Sequence, residues 1–315
     1  MRFFSQIIGN TEVTMKIQTL SIVVGTRACD ARCPFCVSKM TGFDSLPPPG
    51  GSVNWLNFCK ACRLAQIGET TTVLLTGKGE PTLYPEEIGN YLEALKPYSF
   101  PLIELQTNSI AIGRLASGQE SRVPGLSKST LRQWQIDGLN TVAISAVDVD
   151  REVNAGVYGP DYPQIDQVAD YLHELGFSVR LCLMMMCNGI DSPEKLFEAL
   201  DFCRTAGIEQ ITARPIRRPR TSQNDQAARY IAERGLAPDE EALIRDWTEQ
   251  NGTRLMSLMH GAVVYDICGQ NFCLSDCLTV GPANNDLRSL IFYSDGRLAY
   301  DWQHDGAVIL GGRRR

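Results

Sequence analysis

The chain has 315 residues, 43% of them hydrophobic, with 30 basic against 36 acidic side chains and a formal charge of −6. That balance excludes a general nucleic-acid or membrane-surface binder, which would be basic overall. The length suffices for one large α/β domain with an annex, or for two ordinary domains. Eleven cysteines is a high and odd number. The opening residues "MRFFSQIIGNTEVTMK" lack a long apolar core and a small-residue cleavage site, and no run approaches the roughly eighteen apolar residues of a membrane span. A cytoplasmic, reducing setting is expected, where clustered cysteines bind metals or do redox work more often than they form disulfides.

Taken in chain order, apolar strand-like runs fall at 19–24, 71–76, 102–107, 141–146, 178–185 and 209–214. They are near-continuous rather than alternating, which suits parallel strands buried on both faces. Helix-like stretches lie between them, near 54–67, 85–96, 128–137, 162–175 and 193–206. Gly68, Gly138, Gly176 and Gly207 each follow a last periodic residue, and Ser192 with Pro193 opens the fifth helix. Six β–α repeats predict an α/β fold, a partial (β/α)6 TIM-like barrel with its active residues at the C-terminal strand ends. Beyond a basic, proline-broken loop, "RPIRRPR" at 214–220, two more helices are expected to about Gln250. Strands follow, including a hairpin turned at Asp295-Gly296. The expected organisation is an N-terminal segment at 1–18, the barrel at 19–220, and a C-terminal extension at 221–315.

The first strand runs into "TRACDARCPFCVSK", which holds Cys29, Cys33 and Cys36. Three thiolates can hold three irons of a four-iron cluster and leave the fourth open to a ligand. Three unrelated core cysteines or an incomplete zinc site are the alternatives. The spacing C-x3-C-x2-C after a first barrel strand resembles the radical S-adenosylmethionine (SAM) superfamily, and the likeness runs from about residue 19 to 215. "TGKGEPTL" at 76–83 is similar to that superfamily's glycine-glycine-glutamate loop, although Lys78 separates Gly77 from Gly79. The resemblance implies that Glu80 and the backbone near Gly77 and Gly79 hold the methionine amine of SAM. "QTNS" (106–109) and "ISAVD" (144–148) are similar to segments in the branch containing the GTP cyclase of molybdenum-cofactor biosynthesis. From that likeness Thr107, Asn108 and Ser145 are expected near SAM, and Phe35 is expected beside the adenine. For the three polar residues, strand-end capping is the alternative. Arg180 is a further candidate for the SAM carboxylate.

The implied chemistry is reductive cleavage of SAM at the open iron of a [4Fe-4S] cluster, giving a 5′-deoxyadenosyl radical that abstracts a substrate hydrogen. The cofactors carry the difficult step, and the protein supplies orientation and a water-poor site. An electron donor of flavodoxin or ferredoxin type is implied. With only three histidines, a Ser-His-Asp triad is poorly supported.

A second trio, Cys268, Cys273 and Cys277, occupies "DICGQNFCLSDCLT". It resembles the auxiliary cluster of the cyclase and of Twitch- or SPASM-like enzymes, with "SDGRL" at 294–298 matching their hairpin. Its C-x4-C-x3-C spacing departs from the cyclase pattern, and a zinc site or plain packing are the alternatives. Cys59 and Cys62, one helical turn apart among apolar neighbours, read as packing residues. Arg214, Arg217 and Arg218 crowd the expected barrel mouth. Their forks suit a phosphate or carboxylate, so they are the candidate substrate residues, with a solvated loop as the alternative. Gly311-Gly312 resemble the cyclase's terminal double glycine, but three arginines follow. The leading expectation is a radical SAM enzyme acting on a small anionic substrate such as a nucleotide. A peptide-modifying maturase is the second reading, though nothing before residue 19 is long enough for an added peptide-recognition domain. The third reading is a non-catalytic iron–sulfur regulatory protein.

Overall fold

A computed structural model of the protein describes residues 5–7, 12–41, 46, 52–220, 222–258, 261–276 and 286–312. A small hairpin, β1 (Ser5–Ile7) with β2 (Glu12–Thr14), precedes the main sheet. Six parallel strands follow in chain order: β3 (Ile17–Val23), β4 (Thr72–Thr76), β5 (Leu102–Thr107), β6 (Thr141–Ala146), β7 (Ser178–Met185) and β8 (Gln210–Pro215). These are the six strands predicted from the apolar runs. Three more form after the barrel, β9 (Thr253–Ser257), β10 (Val263–Ile267) and β11 (Gln270–Leu274), and then β12 (Leu287–Tyr293), β13 (Leu298–Ala299) and β14 (Val308–Leu310).

The later strands extend both edges of the barrel sheet. β11 lies parallel to β8, and β12 lies parallel to β3. The predicted hairpin joins β12 to β13, with Gly296 at φ +91 in its turn. β12 is bolted down by Phe292, whose ring lies 5.2 Å from Phe58 and 6.4 Å from Tyr91. Such aromatic pairs contribute roughly 0.5–1.5 kcal/mol each beyond their burial.

The helices are α1 (Trp55–Ile67), α2 (Pro85–Leu95), α3 (Ile110–Ala116), α4 (Lys128–Ile136), α5 (Arg151–Tyr158), α6 (Ile165–Glu174), α7 (Pro193–Thr205), α8 (Asp225–Arg234) and α9 (Pro238–Asn251). Ser192 caps α7 as expected, accepting from Lys195 N at 3.3 Å. Gly138, Gly176 and Gly207 end α4, α6 and α7 with φ of +104, +88 and +67, whereas Gly68 ends α1 without a left-handed turn. α3 and α5 were not apparent from the sequence. α3 is apolar nearly throughout and has a glycine in its middle, so it carries no amphipathic stripe. α5 spans eight residues, too short for the periodicity to stand out.

The strands put different chemistry on their two faces. Val73, Leu75, Val142, Ile144, Val179, Leu181, Leu183 and Ile211 turn to the helices and are completely buried. The opposite, inner face is not apolar as the sequence runs suggested. The register sets Glu104 level with Leu74 and Thr141, Arg180 level with Ala143, and Thr212 level with Cys182 and Cys273. A polar interior thus runs down the barrel beneath its mouth.

Candidate active site

The cysteine loop leaves β3 through Gly25, whose φ of +68 favours glycine and where a Cβ would meet the Tyr84 ring at 2.1 Å. Thr26 Oγ1 and Tyr84 OH stand 2.5 Å apart, and Gly25 N donates to Glu87 Oε2 at 3.1 Å. The loop then lies against the glycine loop after β4. Glu80 N donates to Ala28 O at 2.9 Å, and a Cβ at Gly79 would stand 2.1 Å from that same oxygen. Glycine is therefore required at 79 by backbone contact. Lys78, between the two glycines, is buried and donates from Nζ to Thr41 Oγ1 at 2.7 Å, with its ammonium 5.5 Å from the Trp302 ring centre.

The three thiols lie near enough to repel one another as thiolates. Burial, then Cys36 and Cys29, pushes the Cys33 thiol up to about 12, and the more exposed Cys29 up to about 11. Among the described residues no three His, Cys, Asp or Glu side chains converge as they would around one ion. In a four-iron cluster each thiolate takes its own iron, so such a cluster does not need the three sulfurs to close on one ion. α5 supports the loop from below: Arg32 N donates to Tyr158 O at 2.8 Å, and the buried Tyr158 and Tyr162 rings lie 5.0 Å apart.

Glu80 is 3% exposed and collects four hydrogen bonds. Thr82 N (2.9 Å), Thr82 Oγ1 (2.6 Å) and Thr107 Oγ1 (2.7 Å) donate to Oε1, and Asn108 N donates to Oε2 at 2.9 Å. All four donors are neutral, and among the described residues Glu80 has no ion pair. Desolvation raises its pKa despite those bonds. Oε2, with a single donor, keeps room for a cation. Asn108 Nδ2 in turn reaches Asp30 Oδ1 at 2.7 Å and Cys29 Sγ at 3.7 Å. Cys29, Gly79, Glu80, Thr107 and Asn108 are thereby brought into one cluster of contacts.

The chain matches the radical SAM superfamily over residues 23–203. It belongs to that superfamily. Among solved structures, Streptococcus suis SuiB bound to S-adenosylmethionine is similar at a TM-score of 0.52 and 16% identity, covering 91% of this chain and 58% of SuiB. SuiB bound to its precursor peptide SuiA is similar at 0.55 and 15%, covering 96% and 63%. At these identities the likeness shows the fold, and this chain spans about three fifths of the SuiB chain. No curated protein matches it in sequence.

A radical SAM site needs a place for the cluster and for the amine of SAM, and the residues present fit both. Three neighbouring thiols on one loop suit a cluster with a vacant iron, and a buried carboxylate wrapped only by neutral donors suits an ammonium. The other predicted residues fall at varied distances from this centre. Phe35 is buried with its ring 6.3 Å from Tyr230 of α8, so the C-terminal helices cover the cysteine loop. Gly77 sits at the start of the glycine loop, under Val24 O. Ser145 stands at the end of β6, half-buried, its carbonyl accepting from Tyr162 OH at 2.8 Å.

Arg180 is not with this group. It lies lower on the inner face, ion-paired through Nη2 with the buried Glu104, to which Gln106 Nε2 also donates at 3.1 Å. Arg217 is engaged by Glu241 of α9 through a two-pronged pair at 2.5 and 2.6 Å, with Asp276 at 3.4 Å. Arg218 is exposed. Arg214 alone of the three is turned inward: its Nε is buried with no hydrogen-bond partner, and it lies within electrostatic reach of Tyr158 and Cys273.

The C-terminal cysteines are not brought together where they are described. Cys268 is exposed in the β10–β11 turn at φ +53. Cys273 stands three strand steps beyond Gln270, about 10 Å further along β11, inside the barrel beside Arg180, Cys182 and Arg214. Cys277 lies outside the described residues, as do the three arginines of the tail. Cys62 is buried in α1 and Cys59 partly so, in keeping with packing.

Residues that sequence reasoning passed over include Asp30, Tyr158, Tyr162 and Glu104. The signal available for Tyr158 was Asp150, which caps α5 by accepting from Glu152 N at 2.6 Å. Among the described residues no helix is long and apolar enough to cross a membrane.

Proposed function

We propose that the protein binds a [4Fe-4S] cluster through Cys29, Cys33 and Cys36 and SAM beside Glu80, and that it abstracts hydrogen from a small anionic substrate. When bound, the cluster and SAM supply the electron and the 5′-deoxyadenosyl radical. The observation that carries this reading is Glu80: fully desolvated, hydrogen-bonded four times, and lacking a cation among the described residues. A buried carboxylate left that way is costly unless a ligand completes it. Gly79 keeps the two loops in backbone contact so that Glu80 and Cys29 face one ligand. Thr107 and Asn108 fix the carboxylate, and Phe35 closes the loop against α8. Ser145 ends β6 nearby and is the remaining candidate contact.

Arg214 supports the anionic substrate, since its buried Nε lacks a partner at the mouth. Arg217 does not, because Glu241 and Asp276 already neutralise it. A peptide substrate is the second reading, favoured by the likeness to SuiB across 96% of this chain.

Anaerobic reconstitution followed by iron and sulfide analysis tests the cofactor. About four irons per chain are expected, and about eight would mean that the C-terminal cysteines hold a second cluster. Reduction in the presence of SAM should release 5′-deoxyadenosine, and a loaded protein that releases none refutes the assignment. Incubation with pools of carboxylates, nucleotides and peptides, read by accelerated 5′-deoxyadenosine release, separates the substrate classes. If Arg214→Gln leaves the stimulation by an anionic pool unchanged, Arg214 is not the anchor.

A further inference from the structure

Asn108 is held at four points. Its N–H donates to Glu80 Oε2, its Oδ1 accepts from Ile110 N at 2.9 Å, and its Nδ2 donates to Asp30 Oδ1 at 2.7 Å while lying 3.7 Å from Cys29 Sγ. These partners fix which way the amide faces. Flipped, its oxygen would oppose the Asp30 carboxylate and its NH2 would oppose a backbone N–H. One amide proton is therefore taken by Asp30, and the second is left for the sulfur. Asn108 is 6% exposed, and Ser109 after it is fully buried at φ +62. The donor is thus held rigidly and away from solvent. Cys29 also receives the N–H of Ala31. Against these donors stands Asp30, exposed and adjacent to Cys29 in the chain, whose charge works against negative charge on the sulfur.

We propose that Asn108 and Asp30 tune the reduction potential of the cluster in opposite directions. The Asn108 amide donates to the Cys29 thiolate and favours the reduced, more negative cluster, because hydrogen bonds to cluster sulfurs raise its potential. Asp30 orients that amide and, through its own charge, disfavours the added electron. The inference rests on the reading of this loop as a cluster site. Both are positioning residues: they act through Cys29 and leave the other two thiolates untouched.

The test is an EPR-monitored redox titration of the reconstituted, SAM-free protein, comparing wild type with Asn108→Leu and Asp30→Asn. Asn108→Leu keeps the size of the side chain and removes the donor, so the midpoint potential should fall. Asp30→Asn keeps an oxygen to accept from Asn108 and removes the charge. The midpoint should then rise, by less, because Asp30 is exposed to solvent screening. Loaded variants with an unchanged midpoint, or two shifts of the same sign, overturn the proposal, since mere loosening of the loop would not give opposite signs. Should Asn108→Leu fail to load, Asn108→Asp retains the cap on Ile110 N and sets a carboxylate oxygen toward Cys29. Its midpoint should lie below wild type, and a value equal to wild type likewise overturns the proposal. A wild-type protein that takes up iron and sulfide but shows no reducible four-iron signal would instead remove the cluster reading itself.

Discussion

Glu80 at the barrel mouth and Glu104 within the barrel are both buried, at 3% and 5% exposed, yet the protein treats them differently. Glu104 is given an arginine, Arg180, and an amide donor from Gln106. Glu80 is given four neutral donors and no cation among the described residues. The first arrangement is complete in itself and belongs to the barrel's structure. The second leaves Oε2 with a single donor, and through Asn108 it lies beside Cys29, where the proposed ligand would supply the cation. The two carboxylates therefore differ in cationic completion rather than in depth of burial, and the proposed SAM contact is the one left without a cation among the described residues.

The comparison can be broken in several places. The largest effect should come from Cys29→Ala/Cys33→Ala/Cys36→Ala, which is expected to lose all cluster iron and all SAM cleavage while keeping its circular dichroism. Next, Glu104→Leu strands Arg180 without its partner and should lower unfolding free energy by about 3 kcal/mol, read as a lower urea midpoint. Adding Arg180→Met should restore most of that loss; a double variant as unstable as the single one would mean that Glu104 matters for something other than the pair. Glu80→Gln should act on binding, weakening SAM by roughly 10- to 100-fold, the range for a lost charge-assisted hydrogen bond. Isothermal titration of the loaded protein would measure it, and a variant that binds SAM like wild type would place the ammonium elsewhere.

The smallest effect concerns pH in the cluster-free protein. Burial raises the Cys33, Cys62 and Cys203 thiols to about 12, above their unfolded values. The folded state then holds their protons more tightly, so the stability they contribute is fully present below about pH 8.5 and is lost as pH rises toward 12. Each thiol should account for about 1 kcal/mol of loss by pH 9.5. Thermal midpoints that stay flat from pH 8 to 10 would show these thiols to be solvated.

Local features were legible in the sequence. The six strands announce themselves as apolar runs, the cysteines by spacing, and the glycine loop by its position after the second run. Pairings across the barrel were not, because they depend on closure. Nothing near Arg180 in the chain points to Glu104, 76 residues away, and nothing near Arg217 points to Glu241. The contacts of Asn108 with Asp30 and Cys29 span 78 and 79 residues. The placement of the C-terminal cysteines was hidden for the same reason: close in the chain, Cys268 and Cys273 stand apart along an extended strand.

The pairing of β12 with β3 bears on how the protein is made. The strand that launches the cysteine loop finds β4 early, but its other neighbour arrives about 270 residues later, as the Ser21–Ser289 hydroxyl contact at a separation of 268 residues shows. At ribosomal speeds of about 5–20 residues per second, that gap corresponds to roughly 15–50 s. During that interval β3 has one bare edge and the nascent cysteine loop has no finished wall behind it. A cluster proposed for this loop is therefore best inserted once β12 has paired with β3, since earlier insertion would load a half-built barrel.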